Sequence, residues 1–185
     1  MSENYIQPEK QDIDAVEVPS DAAFFEEMNL LVHLAREYPD EDELQLELNV
    51  PATEEEIAEF EKRNNISLTD DLKALYKFAN GFSLECANLD ISTLAQIESD
   101  LSNEYEWGDS KNYVLIGEMI GDGEIILLDL DTNKIITNDH GDETVFDDIS
   151  MLLSDIIFTF LENEVDDEEL ENYINGFEVT ESYSE

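Results

Sequence analysis

The sequence predicts a single α+β domain in which helices flank a central, mainly antiparallel sheet of about four to six strands. Apolar residues recur at helical spacing within residues 21–38, 50–82 and 148–164, which indicates amphipathic helices. Between residues 113 and 146, short β-branched runs alternate with polar turns, as is typical of neighbouring antiparallel strands. A chain of 185 residues is long enough for one full core with terminal extensions.

The first predicted helix occupies residues 21–38 and carries one apolar seam. The seam consists of Phe24, Met28, Leu31, Ala35 and Tyr38. Packing of this helix on the domain is favoured, because so apolar a helix is rarely left exposed in a monomer. A role as a partner-binding helix stays open. After it, Leu44, Leu46 and Leu48 alternate with polar residues and predict a short strand.

A helical hairpin is predicted over residues 50–82. Thr53 and Glu56 have the spacing of a capping box. In this motif the threonine hydroxyl accepts the backbone N–H of the glutamate, and the glutamate carboxylate accepts the backbone N–H of the threonine. The first helix of the hairpin therefore begins near Thr53. It is predicted to end near Asn64 and Asn65, since asparagine tolerates the left-handed conformation.

The second helix of the hairpin has its own start and stop signals. Thr69 is placed to cap it, and Asp70 and Asp71 lie in its first turn, where carboxylates interact favourably with the helix dipole. Asn80 and Gly81 are predicted to end the helix through a left-handed residue.

The rest of the chain is predicted to build the sheet and close the core. Residues 82–89 are predicted to form a strand that covers a sheet edge, and residues 91–100 a short helix. The closing helix over residues 148–164 has an apolar stripe so wide that it must lie in a core. The remaining strands are predicted at residues 113–117, 124–129, 135–138 and 143–146, the last of them at a sheet edge.

The hairpin contains a motif of three parts. These are an acidic, capped helix start, an Ile-x-x-Phe-Glu stretch, and a second helix that ends at Asn-Gly. The motif resembles the signature of the SUKH superfamily, which covers fungal cell-wall-synthesis regulators and many bacterial immunity proteins. Residues 116–129 fit the second half of that pattern, and the resemblance covers roughly residues 50–163. One departure is Thr69, which follows Leu68 where members commonly have proline. The matching hairpin residues are Pro51, Glu55, Glu56, Ile57, Phe60, Glu61, Leu68, Asp71, Leu75, Asn80 and Gly81.

The resemblance implies a division of the chain into one domain with two extensions. Residues 1–49 are predicted to be an N-terminal extension that contains the first helix. Residues 50–164 are predicted to be the SUKH-like domain, and residues 165–185 an acidic C-terminal tail.

The charge balance restricts the classes of partner. The chain has 49 acidic and 8 basic residues, a formal net charge of −41. Such a protein repels nucleic acids and anionic membranes, and it attracts basic proteins with raised association rates. We therefore expect a basic protein partner, no nucleic acid and no membrane. Solubility adaptation is the alternative explanation of the charge.

The residue types needed for catalysis are scarce, so we expect neither an enzyme nor a bound cofactor. His33 and His140 are the two histidines, and neither falls in a pattern with a nucleophile. Asp129, Asp131 and Asn133 open like a calcium-binding loop. The required glycine and glutamate at the sixth and twelfth positions are absent, so a strand–turn–strand fits the segment better and no metal site is predicted.

The predicted loop over residues 102–112 combines aromatic and acidic residues, as protein-binding surfaces do. Tyrosine and tryptophan supply buried area at interfaces, while carboxylates meet lysine and arginine. The alternative is that Tyr105 and Trp107 cover the sheet, and core packing is favoured for Trp107. The predicted contact set adds two acidic positions after the loop and comprises Glu104, Tyr105, Glu106, Trp107, Asp109, Asp122 and Glu124.

Two functions follow from the resemblance and the charge. The first is a non-enzymatic immunity protein that binds and neutralises a cognate bacterial toxin domain, a basic nuclease by preference. The second is a general interaction scaffold of the same superfamily with no toxin partner. The lone Cys86, the absence of a secretory leader pattern and the lack of an apolar run of membrane-spanning length predict a cytoplasmic location.

Overall fold

The computed structural model describes residues 8–37, 45–101, 112–119 and 123–164, without the side chains of Cys86 and residues 158–164. It confirms the α+β prediction. The helices are α1 (Phe25–Glu37), α2 (Glu54–Asn64), α3 (Asp70–Phe78), α4 (Leu94–Leu101) and α5 (Ile149–Glu164). The strands are β1 (Leu46–Leu48), β2 (Phe82–Leu84), β3 (Leu89–Ile91), β4 (Tyr113–Met119), β5 (Glu124–Asp129), β6 (Lys134–Asp139) and β7 (Asp142–Phe146).

The sheet is an antiparallel meander in which spatial order follows chain order from β1 to β7. It has seven strands where about four to six were expected. The difference arises at residues 82–89, which were predicted to be one edge strand. They form two short strands, β2 and β3, separated by the 3-10 turn Glu85–Ala87, and both lie inside the sheet. Asn88 makes the reversal possible by adopting a left-handed conformation with φ of 50°.

The N-terminal segment closes the β1 edge of the sheet. The Gln11 N–H donates to the Leu48 carbonyl at 2.8 Å, and the Val50 N–H donates to the Glu9 carbonyl at 2.9 Å. The Gln11 side chain donates to the Asn49 and Phe78 carbonyls, both at 2.9 Å. This segment therefore continues the sheet beyond β1.

Helix α1 packs in the main core, as the favoured interpretation predicted. Phe24 and Met28 are fully buried, and the Phe24 ring lies 5.7 Å from that of Phe78 in α3. The Glu27 carboxylate in α1 accepts hydrogen bonds from Ser150 and Ser154 in α5. The helix begins at Phe25, four residues later than predicted, because the preceding residues form a turn.

The hairpin confirms the predicted caps of its first helix but not of its second. Thr53 and Glu56 form both hydrogen bonds of a capping box, and Asn65 ends α2 with φ of 53°. Thr69 occupies the N-cap position of α3 without a capping hydrogen bond, and its buried hydroxyl has no partner among the described residues. Asp71 lies in the first turn of α3 as expected, and its carboxylate also accepts the N–H of Ile149, the first residue of α5, at 3.0 Å.

Asn80 and Gly81 connect the hairpin to α4. Helix α3 ends at Phe78 with Ala79 as its extended C-cap, so the prediction that Asn80 and Gly81 end it through a left-handed residue was wrong. Gly81 does have a positive φ, 79°, but it lies in the turn after the helix. The Asn80 side chain accepts the Leu94 N–H at 3.0 Å, so it helps to begin α4. Among the helices of the described ranges, none has the length and hydropathy of a membrane span.

Candidate protein-binding surface

The predicted contact set divides into one described residue and six others. Glu124 opens β5, opposite Met119 of β4, and its side chain is half-buried. It lies at the end of the β4–β5 hairpin. The others lie outside the described residues: Glu104, Tyr105, Glu106, Trp107, Asp109 and Asp122. Their role stays a prediction.

The sheet carries a continuous row of mostly polar residues on the face that does not contribute to the main core, here called the outer face. Strand register aligns one residue from each of the seven strands. Four of the seven are carboxylates, although their positions are far apart in sequence. The row consists of Glu47, Ser83, Asp90, Glu118, Ile125, Asn138 and Glu143. The sequence could not reveal this row, because it depends on the register of every strand pair.

Asp90 and Glu118 lie directly opposite each other on β3 and β4. Burial raises the pKa of Asp90, the Glu118 carboxylate raises it further, and the Lys10 ammonium acts in the opposite direction. Lys10 itself pairs with Glu47 at 2.9 Å. Like charges directly opposite on a sheet are unfavourable, and an added cation would relieve the repulsion. This part of the outer face is therefore suited to positively charged groups.

An apolar row runs beside the polar one. Leu115, Leu127, Ile136 and Val145 are aligned across β4 to β7. Leu127 and Ile136 are 2% and 4% exposed and form, with Ile125, a second buried cluster separate from the main core. Val145, at the β7 end of the same row, is 59% exposed. The outer face thus ends in an exposed apolar residue at the sheet edge.

Most of the basic residues form ion pairs or hydrogen bonds with other groups of the same chain. Lys73 pairs with Glu61 at 3.1 Å, and Arg63 pairs with Glu98 at 2.9 Å. Arg36 donates to two backbone carbonyls of the segment that precedes α1. Lys77 and Lys134 also pair with carboxylates. Because these cations neutralise near neighbours, the surplus of carboxylates is left to act on the surroundings.

The segment that opens like a calcium loop is a tight turn between β5 and β6, as predicted. Asp129 accepts hydrogen bonds from the backbone of Asp131 and Thr132 and from the Thr132 hydroxyl. Asn133 has a positive φ of 58°, which suits such a turn. Within the described ranges, no three or more His, Cys, Asp or Glu residues are grouped to hold a metal ion.

Comparison with known proteins gives one family. The sequence matches the SMI1 / KNR4 family (SUKH-1) over residues 51–177, which is more than half of the chain. The match begins at Pro51 of the hairpin and includes β2 to β7 and α5. No relative among the curated proteins matches the chain.

Proposed function

The chain belongs to the SMI1 / KNR4 family (SUKH-1), and from this premise we propose that it is a cytoplasmic immunity protein. It binds a cognate bacterial toxin domain directly and blocks it, with no reaction of its own. The toxin domain is basic and of the nuclease type. Such a domain carries a positive groove for nucleic acid, and an acidic protein can occupy that groove by charge and shape.

The observation that carries the proposal is the excess of negative charge. The net charge is −41, and the outer row brings the carboxylates of Glu47, Asp90, Glu118 and Glu143 onto one face of the sheet. Charges arranged in this way raise the association rate with a basic partner and disfavour acidic ones. Solubility alone requires charge, but it does not require charge aligned across strands that are distant in sequence.

The proposed contacts combine this charge with aromatic anchors. Tyr105 and Trp107 would supply buried area at the centre of the interface, and the acidic residues around them would meet lysine and arginine. Glu124 is the first residue of β5, at the end of the β4–β5 hairpin, and this hairpin follows the predicted loop of residues 102–112 in the chain. Replacing Trp107 and Tyr105 by alanine tests the anchors separately from the charge.

The test begins with capture from the organism that encodes the chain, at moderate salt, followed by mass spectrometry. We expect one basic toxin domain in near-equal amount. The purified pair is then assayed for nuclease activity, which should be abolished at equimolar ratio. A triple variant, Glu104→Gln, Glu106→Gln and Asp109→Asn, should inhibit less, while Glu17→Gln, remote in sequence, serves as the control.

Two outcomes would contradict the proposal. Capture of several unrelated proteins with no basic partner would favour the interaction scaffold. A basic partner that binds while its activity is unchanged would exclude neutralisation as the function. In both cases the charge would retain its role in solubility.

A further inference from the structure

Strand β7 leaves one edge of the sheet open in the described part of the chain. The other edge, at β1, is closed by the segment around Lys10. β7 pairs with β6 and is the last strand in the order of the sheet. An edge strand presents backbone N–H and C=O groups to which a strand of another chain can bind.

The register identifies Glu143 and Val145 as residues that present these groups, and Val145 is the apolar one. A two-residue turn joins β6 to β7, and both of its residues have positive φ, 52° and 107°, as a type I′ turn requires. The Asp139–Asp142 pair closes this turn and is hydrogen-bonded, and the two kinds of pair alternate from there. Ile136–Val145 is therefore a non-hydrogen-bonded pair. The Val145 N–H and C=O point away from β6, toward the open edge.

The Val145 side chain is also exposed, so a bound strand could bury it. It continues the apolar row of Leu127 and Ile136 but is 59% exposed, whereas they are almost completely buried. A strand bound along β7 would place its own side chain beside Val145, at the spacing of neighbouring strands. An apolar residue there would extend the row and remove Val145 from water.

The acidic residues around β7 favour binding of a basic strand over an acidic one. Asp142 and Glu143 lie at one end of it, and Asp147 and Asp148 follow the other end. Lys134 pairs with Asp147, which offsets one of these charges. A second copy of this acidic chain would be repelled at this edge, and a basic segment would be attracted.

From this geometry we propose that β7 is the docking edge for an extended basic segment of the protein partner. The segment adds one strand to the sheet through main-chain hydrogen bonds to Val145. It places an apolar side chain beside Val145 on the outer face and its lysine or arginine side chains on the opposite face, near the carboxylate of Asp142. The inference rests on the proposed function, because it assigns a surface to the same basic partner.

The test uses a fluorescent, end-capped peptide of alternating lysine and valine, with binding measured by anisotropy. Val145→Pro removes the outward N–H but none of the hydrogen bonds to β6, and it should weaken binding by about tenfold or more. Val145→Ala keeps that N–H and should weaken binding less. A peptide of alternating glutamate and valine should not bind. Thermal unfolding checks that both variants are folded.

Hydrogen exchange on the wild-type chain gives a readout that needs no variant. Exchange of the Val145 amide should slow when the lysine–valine peptide is added, and it should not slow with the glutamate–valine peptide. Unchanged exchange would overturn the proposal even if Val145→Pro failed to fold. Equal peptide affinity of Val145→Pro and wild type would also overturn it.

Other occupants of the edge give distinct results. A wild-type dimer in light scattering that Val145→Pro dissociates would assign the edge to a second copy. A Val145 amide already protected before peptide is added would assign it to this chain itself. If Val145→Pro still captures the basic partner as wild type does, the edge proposal fails and the proposed function stands. If wild type captures no basic toxin domain, the proposed function fails independently of the peptide result.

Discussion

Gly81 is constrained by its backbone conformation and by its surroundings. Its φ of 79° lies in the left-handed region, which is unfavourable for residues with a side chain. A Cβ atom there would lie 2.5 Å from the Ile91 carbonyl oxygen and 2.8 Å from the Thr93 nitrogen, both backbone atoms that cannot rotate away. The turn after α3 can therefore lie against the segment that joins β3 to α4 only because residue 81 lacks a side chain.

Gly81→Ala should lower the free energy of unfolding by roughly 2–4 kcal/mol, since it combines left-handed strain with a backbone clash. Chemical denaturation monitored by circular dichroism measures the change. Gly141→Ala is the matched control, because Gly141 also has positive φ but has open space where its Cβ would lie. It should cost about 1 kcal/mol. Equal costs for the two variants would show that the close contact contributes nothing.

At the scale of elements, α5 depends on a residue of α3. Ile149, the first residue of α5, is fully buried, and its N–H donates to Asp71. Helix starts need partners for their free N–H groups. Here the partner comes from a helix 78 positions away in the chain. The hydrogen bond thus joins the hairpin to the closing helix as well as capping it.

Asp71→Ala should lower the free energy of unfolding by about 1–2 kcal/mol, as expected for the loss of a charged N-terminal cap. Asp70→Ala, in the same turn of α3, is the control. If Asp71 acted only on the dipole of α3, the two variants would have similar unfolding midpoints in urea. We expect Asp71→Ala to have the lower midpoint, and Asp71→Asn, which keeps an acceptor oxygen, to lie between it and wild type.

The local elements could be predicted from the sequence, and the contacts between distant elements could not. Thr53 and Glu56 act within one turn, so their spacing was sufficient to predict the capping box. Asp71 lies in the first turn of α3 as predicted, but its contact with Ile149 could not be predicted, because that contact depends on how α3 and α5 pack. The same limit applies to the outer row and to Val145, whose exposure depends on strand register. The predicted loop contacts at residues 104–109 stay a prediction.

At the scale of the whole molecule, folding brings 49 acidic residues together with 8 basic ones. Self-repulsion among them opposes the compact state, and dissolved ions screen it. The ion pairs of Lys73 with Glu61 and Arg63 with Glu98 offset a small part of this repulsion. The fold therefore relies on its apolar core to outweigh the repulsion.

Added sodium chloride should raise the melting temperature steadily from low to physiological ionic strength, because screening weakens repulsion more in the compact state. Differential scanning calorimetry at constant pH measures the effect. Sucrose at matched osmolality separates charge screening from general solute exclusion. A melting temperature independent of salt would mean that the carboxylates are too well dispersed to destabilise the fold.

The packing of α1 against α5 has a consequence for biosynthesis. Glu27 accepts hydrogen bonds from Ser150 and Ser154, which lie 123 and 127 positions later in the chain. At a usual rate of about 5–20 residues per second, a ribosome needs on the order of ten seconds to reach α5 after making α1. During that interval α1 lacks its contact with α5. The face of α1 that α5 will cover stays uncovered until then, and the glutamates in its first turn, Glu26 and Glu27, disfavour aggregation of that face.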